Sequence, residues 1–424
     1  MSSLTTSARK LSGSLTQAKQ AREIPGFVPW LAAGGFLLLF PAFLVYHYGI
    51  STGWWTPLLG GLFGAGSILV ALAALASLSV RASEKLGLTT MHLLFLACVA
   101  YMVTWSLSQW AGLDHEALVQ PIMVEAFATV VIWVAVLFVG SQFPPDAQSI
   151  SRINAAGIGA VLLAFGHAFY TGGFPAGPFL AFVGADEVGS ATYQGVGRSL
   201  LAIAIVAALA LRPYSARALL TLMGATGLML ALGSRAHFFV LSLSLAIHLL
   251  VLLSHRGTRW MGIAGLVFTG LTTAAGASFF LETRASEVID LTTSASWQER
   301  GVANDRALEI IAEHPLVGSF GYHAWDSAGY AHNALSAWTQ YGVAGFALYT
   351  VTMAVAAFVA LGGFARTRGT EPAWHLALHF NLISIVLAIA SEPIMSSVFP
   401  AMAWGFTIRA LRSQRRSRLT AAGG

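Results

Sequence analysis

The sequence predicts an all-α polytopic membrane protein, on the strength of its composition and of the length of its apolar runs. Of the 424 residues, 56% are hydrophobic and only 10% are charged, whereas soluble domains average about 25% charged residues. A membrane-spanning helix needs roughly 20 mostly apolar residues, and twelve candidate stretches follow one another along the chain. One domain of about twelve transmembrane helices is therefore expected.

The predicted spans divide the chain into five parts. A polar N-terminal tail covers 1–26, the first nine spans fill 27–281, and a long polar loop occupies 282–337. The last three spans fill 338–409, and a basic tail covers 410–424. The spans are placed at 27–46, 54–80, 91–109, 118–140, 153–170, 197–211, 218–234, 237–253, 260–281, 338–362, 374–390 and 395–409.

The distribution of basic residues predicts the orientation of the chain. If the N-terminus is cytoplasmic, 18 of the 23 Lys and Arg residues fall in cytoplasmic loops and tails, as the positive-inside rule requires. Both termini are then cytoplasmic and the 282–337 loop lies on the outer face. Because the positive charge is used for orientation, a nucleic-acid partner is not expected despite a net charge of +5.

The outer face keeps five basic residues, and all of them are arginines. The planar guanidinium group binds phosphate oxygens in pairs, so we predict that at least two of these arginines bind an anion. Glu125, inside the fourth span, is a costly placement for a carboxylate, and two roles stay open for it: pairing with Arg198 or serving the site. The five arginines are Arg198, Arg235, Arg284, Arg300 and Arg306.

The polar loop contains the residues best suited to chemistry. A helix is expected from about Trp297 to Glu313, capped by Ser296 and ended by Pro315. A second helix is expected to open near His332. At a helix N-terminus the positive dipole end disfavours imidazolium, and a neutral imidazole is what a general base needs.

Other residues of the loop region are interpreted more simply. Asn333 either orients a substrate or caps the second helix. No H-x-x-x-H or H-E-x-x-H spacing occurs in the loop, so neither metal catalysis nor a cofactor is expected. His375 and His379 have helical spacing but lie at the cytoplasmic end of a span, and we interpret them as packing residues.

Several short motifs occur in order and resemble those of the O-antigen ligase and polymerase superfamily of bacterial envelopes. The hinge Gly233-Ser234-Arg235 is followed by Arg300, then His314-Pro315-Leu316-Val317-Gly318, then His332-Asn333, and then Tyr341-Gly342-Val343-Ala344-Gly345-Phe346. The resemblance covers Gly233 to Phe346 in motif and the whole chain in span number. Ala236 stands where the family usually has glycine, and Gly-Ser-Phe-Gly where it often has a proline-containing turn.

This resemblance implies a GT-C-like, metal-independent glycosyltransferase of the bacterial inner membrane with its catalytic loop in the periplasm. The implied donor is a glycan on undecaprenyl diphosphate, and the implied acceptor is lipid A–core in lipopolysaccharide biosynthesis. Arg235 and Arg300 match the family's phosphate-associated arginines, and His332 matches its catalytic histidine. Arg284 has no family match and is included as a helper, and Asn333 as a further substrate contact.

The residues leave three functions open. A ligase transfers the glycan to lipid A–core, whereas a polymerase joins one lipid-linked repeat to another at the same kind of site. A transporter of lipid or glycan would place charged residues in broken helices at the bilayer midplane, but here the polar residues gather at the outer face. The ligase is the preferred interpretation, with inversion of the anomeric centre expected.

Overall fold

The fold is a bundle of helices, described by a computed structural model for residues 27–51, 62–81, 90–111, 116–172, 193–232, 234–281, 295–324, 331–395 and 397–423. No strand occurs among these residues, and 87% of them are helical. The helices are α1 Phe27–Leu37, joined through a π turn to α2 Phe43–Ser51; α3 Leu62–Arg81; α4 Thr90–Trp110; α5 Glu116–Gln142; α6 Ala147–Gly172; α7 Tyr193–Leu209; α8 Ala216–Leu232; α9 Arg235–Ser254; α10 Arg259–Leu281; α11 Ala295–Glu313; α12 Leu335–Thr367; α13 Pro372–Ala390; and α14 Phe399–Gly423.

These helices agree with the predicted polytopic helical membrane protein. Within the described residues, seven helices are long and apolar enough to cross a membrane, and three further apolar helices are shorter. Each of the twelve predicted stretches overlaps a helix of the described residues. The last helix, α14, begins at Phe399 and continues to Gly423, so residues of the basic tail extend it. The predicted 1–26 tail lies outside the described residues.

The centre of the bundle is a backbone-to-backbone crossing of α5 and α14. A Cβ atom on Gly405 would lie 2.5 Å from the Leu137 carbonyl oxygen, and one on Gly140 would lie 2.7 Å from the Met402 carbonyl oxygen. Small residues let transmembrane helices approach this closely. The crossing fixes the start of α14 and therefore the loop that precedes it.

That loop, 391–398, joins α13 to α14 and is held from both sides; we call it the α13–α14 loop. The Trp133 indole N–H of α5 donates to the Ser397 carbonyl at 2.8 Å, and the Thr129 hydroxyl donates to the Met395 carbonyl. On the opposite side, the Ile394 N–H donates to the Ser336 hydroxyl of α12 at 2.8 Å. The loop is thus a fixed part of the interior.

Helix α12 is interrupted at Gly342, whose φ of 66° and ψ of −175° are not helical. An interruption removes i→i+4 hydrogen bonds and exposes carbonyl groups, which are costly to leave without donors in an apolar surrounding. Other elements supply the donors. The Ser319 N–H bonds the Thr339 carbonyl at 2.6 Å, the Trp105 indole bonds that of Gln340 at 3.1 Å, and the Tyr101 hydroxyl bonds that of Tyr341 at 2.9 Å.

The α5–α14 crossing gives the first testable prediction. Gly405→Val would force two backbones apart, and overpacking of this kind costs about 1–3 kcal/mol. We expect a lower melting temperature in detergent, measured by size-exclusion chromatography after heating. Gly159→Val in α6 is the matched control, because nothing lies within 4 Å of its added Cβ. Equal melting temperatures for the two variants would contradict the crossing.

Candidate functional site

The candidate site is built where α11 meets the turn before α12. The Asn333 amide nitrogen donates to the Asn304 side-chain oxygen of α11 at 3.0 Å, and its own oxygen accepts the Leu335 N–H at 2.9 Å. Asn333 therefore ties two helices together and holds the first turn of α12. Its predicted contact with substrate stays a prediction.

Arg300 is directed toward His332 by this tie. Residues four apart share one face of a helix, so Arg300 lies on the same face of α11 as Asn304, and Asn333 is the neighbour of His332. The buried face of α11 contains Ala303, Ala307 and Ile310. Because this face packs inward, the rotation of α11 about its axis is fixed. The geometry brings together two of the predicted site residues.

His332 is half-buried and its pKa lies below the ordinary value, first because of burial and then because of the positive charge of Arg300. The direction of this shift agrees with the neutral imidazole predicted from the sequence. Helix α12 begins at Leu335, three residues beyond His332, so this histidine occupies the preceding turn. Burial and the Arg300 guanidinium are causes that the sequence did not indicate, and the contribution of the helix dipole stays a prediction.

The turn that carries His332 is fixed at its other end by a tyrosine. The Tyr322 side chain is almost completely buried, and its hydroxyl oxygen accepts the Ala331 N–H at 3.2 Å. We call this contact the Tyr322–Ala331 clasp. It closes the two ends of segment 325–330, which itself lies outside the described residues.

Two of the sequence motifs contact each other at the interruption of α12. The Val343 N–H donates to the Leu316 carbonyl at 3.3 Å, and a Cβ on Gly342 would lie only 2.1 Å from that same oxygen. A Cβ on Gly318, whose φ is 67°, would lie 2.5 Å from the Thr339 carbonyl oxygen. The turn of residues 314–318 and the glycine of the next helix therefore form one packed unit. The helix before this turn, α11, begins at Ala295, so the predicted cap Ser296 lies inside it.

Arg235 is the first residue of α9 and is half-buried. The residue before it, Ser234, places its hydroxyl 2.8 Å from Nδ1 of His237, one turn further along the helix. Nε2 of His237 lies 3.8 Å from a carboxylate oxygen of Glu392. The α9 start is therefore connected to the α13–α14 loop.

The same loop connects this group to the His332 turn. The Ser336 hydroxyl accepts the Ile394 N–H and donates to the Asn333 carbonyl at 2.7 Å. Ile394 is two residues beyond Glu392. Hydrogen bonds, the 3.8 Å contact between His237 and Glu392, and the backbone of the α13–α14 loop thus link the elements that carry Arg235 and His332.

Glu125 and Arg198 do not pair, and that alternative from the sequence is wrong. Glu125 accepts a contact from Nε2 of His323 at 3.2 Å, while Arg198 pairs with Glu392 at 3.4 Å. Arg306 forms a surface pair with Glu309 at 2.9 Å. Arg284 lies outside the described residues.

The tautomer of His323 follows from its neighbours. The Gly321 N–H donates to the Gln340 side-chain oxygen at 2.7 Å, so the Gln340 amide nitrogen is the atom 3.0 Å from Nδ1 of His323. Since an amide nitrogen only donates, Nδ1 accepts and neutral His323 carries its proton on Nε2, directed at Glu125. Gln340, His323 and Glu125 therefore form one continuous hydrogen-bonded row.

Sequence reasoning missed Glu392, His237 and Gln340. Glu392 had a detectable signal, since an acid between two closely spaced apolar stretches is costly. His237 and Gln340 had none, because their partners are distant in sequence. Among the described residues, no group of three or more His, Cys, Asp or Glu side chains is arranged to hold a metal ion.

Comparisons with models of protein families, with curated proteins and with solved structures found no match to this chain. We therefore infer the function of the protein from its residues and their geometry.

The Gly342 interruption generates the second prediction. Gly342→Ala places a side chain at a positive φ and against the Leu316 carbonyl, and such strain costs about 1–3 kcal/mol. We expect a lower melting temperature, because the interruption packs directly against the turn of residues 314–318. Gly362→Ala in the same helix is the control, with open space around the added Cβ apart from an arginine nitrogen at 4.0 Å. Unchanged stability of Gly342→Ala would refute the packed unit.

Proposed function

We propose that the protein is a metal-independent glycosyltransferase of the bacterial inner membrane, which transfers a glycan from undecaprenyl diphosphate to lipid A–core on the periplasmic side. One observation carries the proposal: a half-buried histidine with a lowered pKa stands next to an arginine charge, at the start of an apolar helix long enough to span a membrane. A base and a cation placed together suit a reaction that removes a proton and releases a phosphate.

The reaction balances with these groups. The neutral His332 imidazole takes the proton from an acceptor hydroxyl as that oxygen attacks the anomeric carbon of the donor. The bond between the anomeric carbon and the diphosphate oxygen breaks, and the diphosphate leaves with its electron pair. Arg300 and Arg235 stabilise the charge that develops there. Attack from the face opposite the leaving group inverts the anomeric centre.

The interruption of α12 supports the same proposal. A turn directly before an interrupted helix places His332 at the end of the bundle, where a lipid-linked head group is presented. The site requires an acceptor hydroxyl but does not define the molecule that carries it. A polymerase, with a second lipid-linked glycan as acceptor, is therefore the second candidate.

The proposal is tested by transfer from an undecaprenyl-diphosphate-linked glycan to purified lipid A–core. General-base catalysis is worth about 10²–10⁴-fold, so His332→Ala should lower kcat by that factor, and His332→Gln should fail as well because it accepts no proton. Arg300→Lys keeps the charge but loses the planar fork, and should also be impaired. Activity should survive a chelator.

Two results would reject this assignment: near-normal turnover by His332→Ala, or complete inhibition by the chelator. Replacing lipid A–core with a second lipid-linked glycan separates the candidates, since only a polymerase extends it. His314→Gln, at an exposed position after α11, is the control and should keep full activity.

The lowered pKa of His332 predicts the pH dependence of kcat/KM. A base acts in its neutral form, so activity falls only when the pH drops to the lowered pKa, below 6.5. Arg300→Gln removes one cause of the lowering, and the acidic limb of the remaining activity should move to higher pH. Arg306→Gln removes an arginine paired on the helix surface and should leave the limb in place. An acidic limb at or above 6.5 in the wild type would contradict the assignment.

A further inference from the structure

A buried carboxylate organises the outer ends of α7 and α9. The Glu392 side chain is 5% exposed, and its two oxygens face three partners. Oε1 lies 3.4 Å from Nε of Arg198 and 3.8 Å from Nε2 of His237, and Oε2 accepts the Ser397 hydroxyl at 2.9 Å. Burial alone would raise the pKa of this carboxyl, but Arg198, followed by His237 and Ser397, outweighs it and lowers the pKa. Glu392 is therefore a buried anion.

Arg198 uses only a small part of its hydrogen-bonding capacity in this pair. A guanidinium group has five N–H donors, and the contact with Glu392 engages only the one on Nε. Within the part of the chain that the structure describes, Arg198 makes no other polar contact, so the four N–H bonds of its Nη atoms have no protein acceptor there. The side chain is 18% exposed, so part of it is accessible to a ligand.

Arg198 also lies close to Arg235. Gly197 packs against Ser234 so tightly that a Cβ on it would lie 2.9 Å from the Ser234 hydroxyl oxygen. Arg198 follows Gly197 and Arg235 follows Ser234, so each arginine is one residue from this contact. The α7–α9 contact thus brings together two arginines that are 37 positions apart in the sequence.

We propose that Arg198, oriented by Glu392, binds the diphosphate of a polyprenyl diphosphate together with Arg235. This inference rests on the proposed function for the identity of the ligand. Glu392 contacts the guanidinium through Nε, and the Nη hydrogens remain available to an anion. An anion bound there receives paired N–H donors, which is the geometry that arginine offers to phosphate. Glu392 is accordingly a positioning residue.

The test measures binding of undecaprenyl diphosphate to the purified full-length protein in detergent by microscale thermophoresis. Hydrogen bonds to charged groups are strong enough that Arg198→Gln should raise Kd by roughly 10- to 100-fold. Arg198→Lys should also bind more weakly than the wild type. Arg306→Gln, on the exposed face of α11, is the matched control and should keep the wild-type Kd.

A double variant separates ligand binding from a structural role. Arg198→Gln leaves the buried Glu392 charge without its main partner, which lowers the melting temperature. Adding Glu392→Gln removes that charge, so the double variant should recover much of the melting temperature while its Kd stays as weak as that of Arg198→Gln. If the double variant instead regains the wild-type Kd, Arg198 serves only as the counter-ion of Glu392 and the inference is wrong.

A membrane phospholipid also carries phosphate, so phosphatidylglycerol is titrated in parallel. The effect of Arg198→Gln should be confined to undecaprenyl diphosphate, and an equal loss of phosphatidylglycerol binding would overturn the assignment to a diphosphate. Wild-type protein that neither binds undecaprenyl diphosphate nor transfers its glycan rejects the proposed function itself. Wild-type protein that does both, together with an Arg198→Gln variant of unchanged Kd, rejects only the role of Arg198.

Discussion

The interruption of α12 at Gly342 is the constraint on which the site depends. A helix broken in an apolar surrounding has carbonyl groups that require donors, and two other elements provide them. The turn after α11 donates to Thr339, and α4 donates to Gln340 and Tyr341. The turn after α11, helix α4 and the first part of α12 are thereby fixed relative to one another. The position of His332 is a consequence of that arrangement.

The charged groups of the site lie on elements whose relative positions are fixed by hydrogen bonds. Arg300 faces His332 because Asn304 and Asn333 join α11 to the turn, and the arginine charge and burial together disfavour the imidazolium. Glu392 places a buried negative charge beside Arg198 and His237. The histidine and the arginines of the site therefore lie in different electrostatic surroundings.

The sequence was informative where a residue acts through its own chemistry or its neighbours in the chain. Apolar length predicted the helices, and Pro315 marked the end of α11. The partner of Glu125 and the contribution of Arg300 to the lowered pKa of His332 could not be predicted in this way. Both depend on distances between helices, which the periodicity of a single chain does not encode. Glu392 is the clearest example, because its partners Arg198 and His237 lie 194 and 155 positions away in the sequence.

The Tyr322–Ala331 clasp has a consequence for how this protein can vary. Since the two ends of segment 325–330 are joined by a hydrogen bond to a buried tyrosine, the chain between them is relieved of placing His332. His332 is therefore positioned by contacts made outside that segment. A change of sequence between residues 325 and 330 that leaves this hydrogen bond intact should leave the histidine in place.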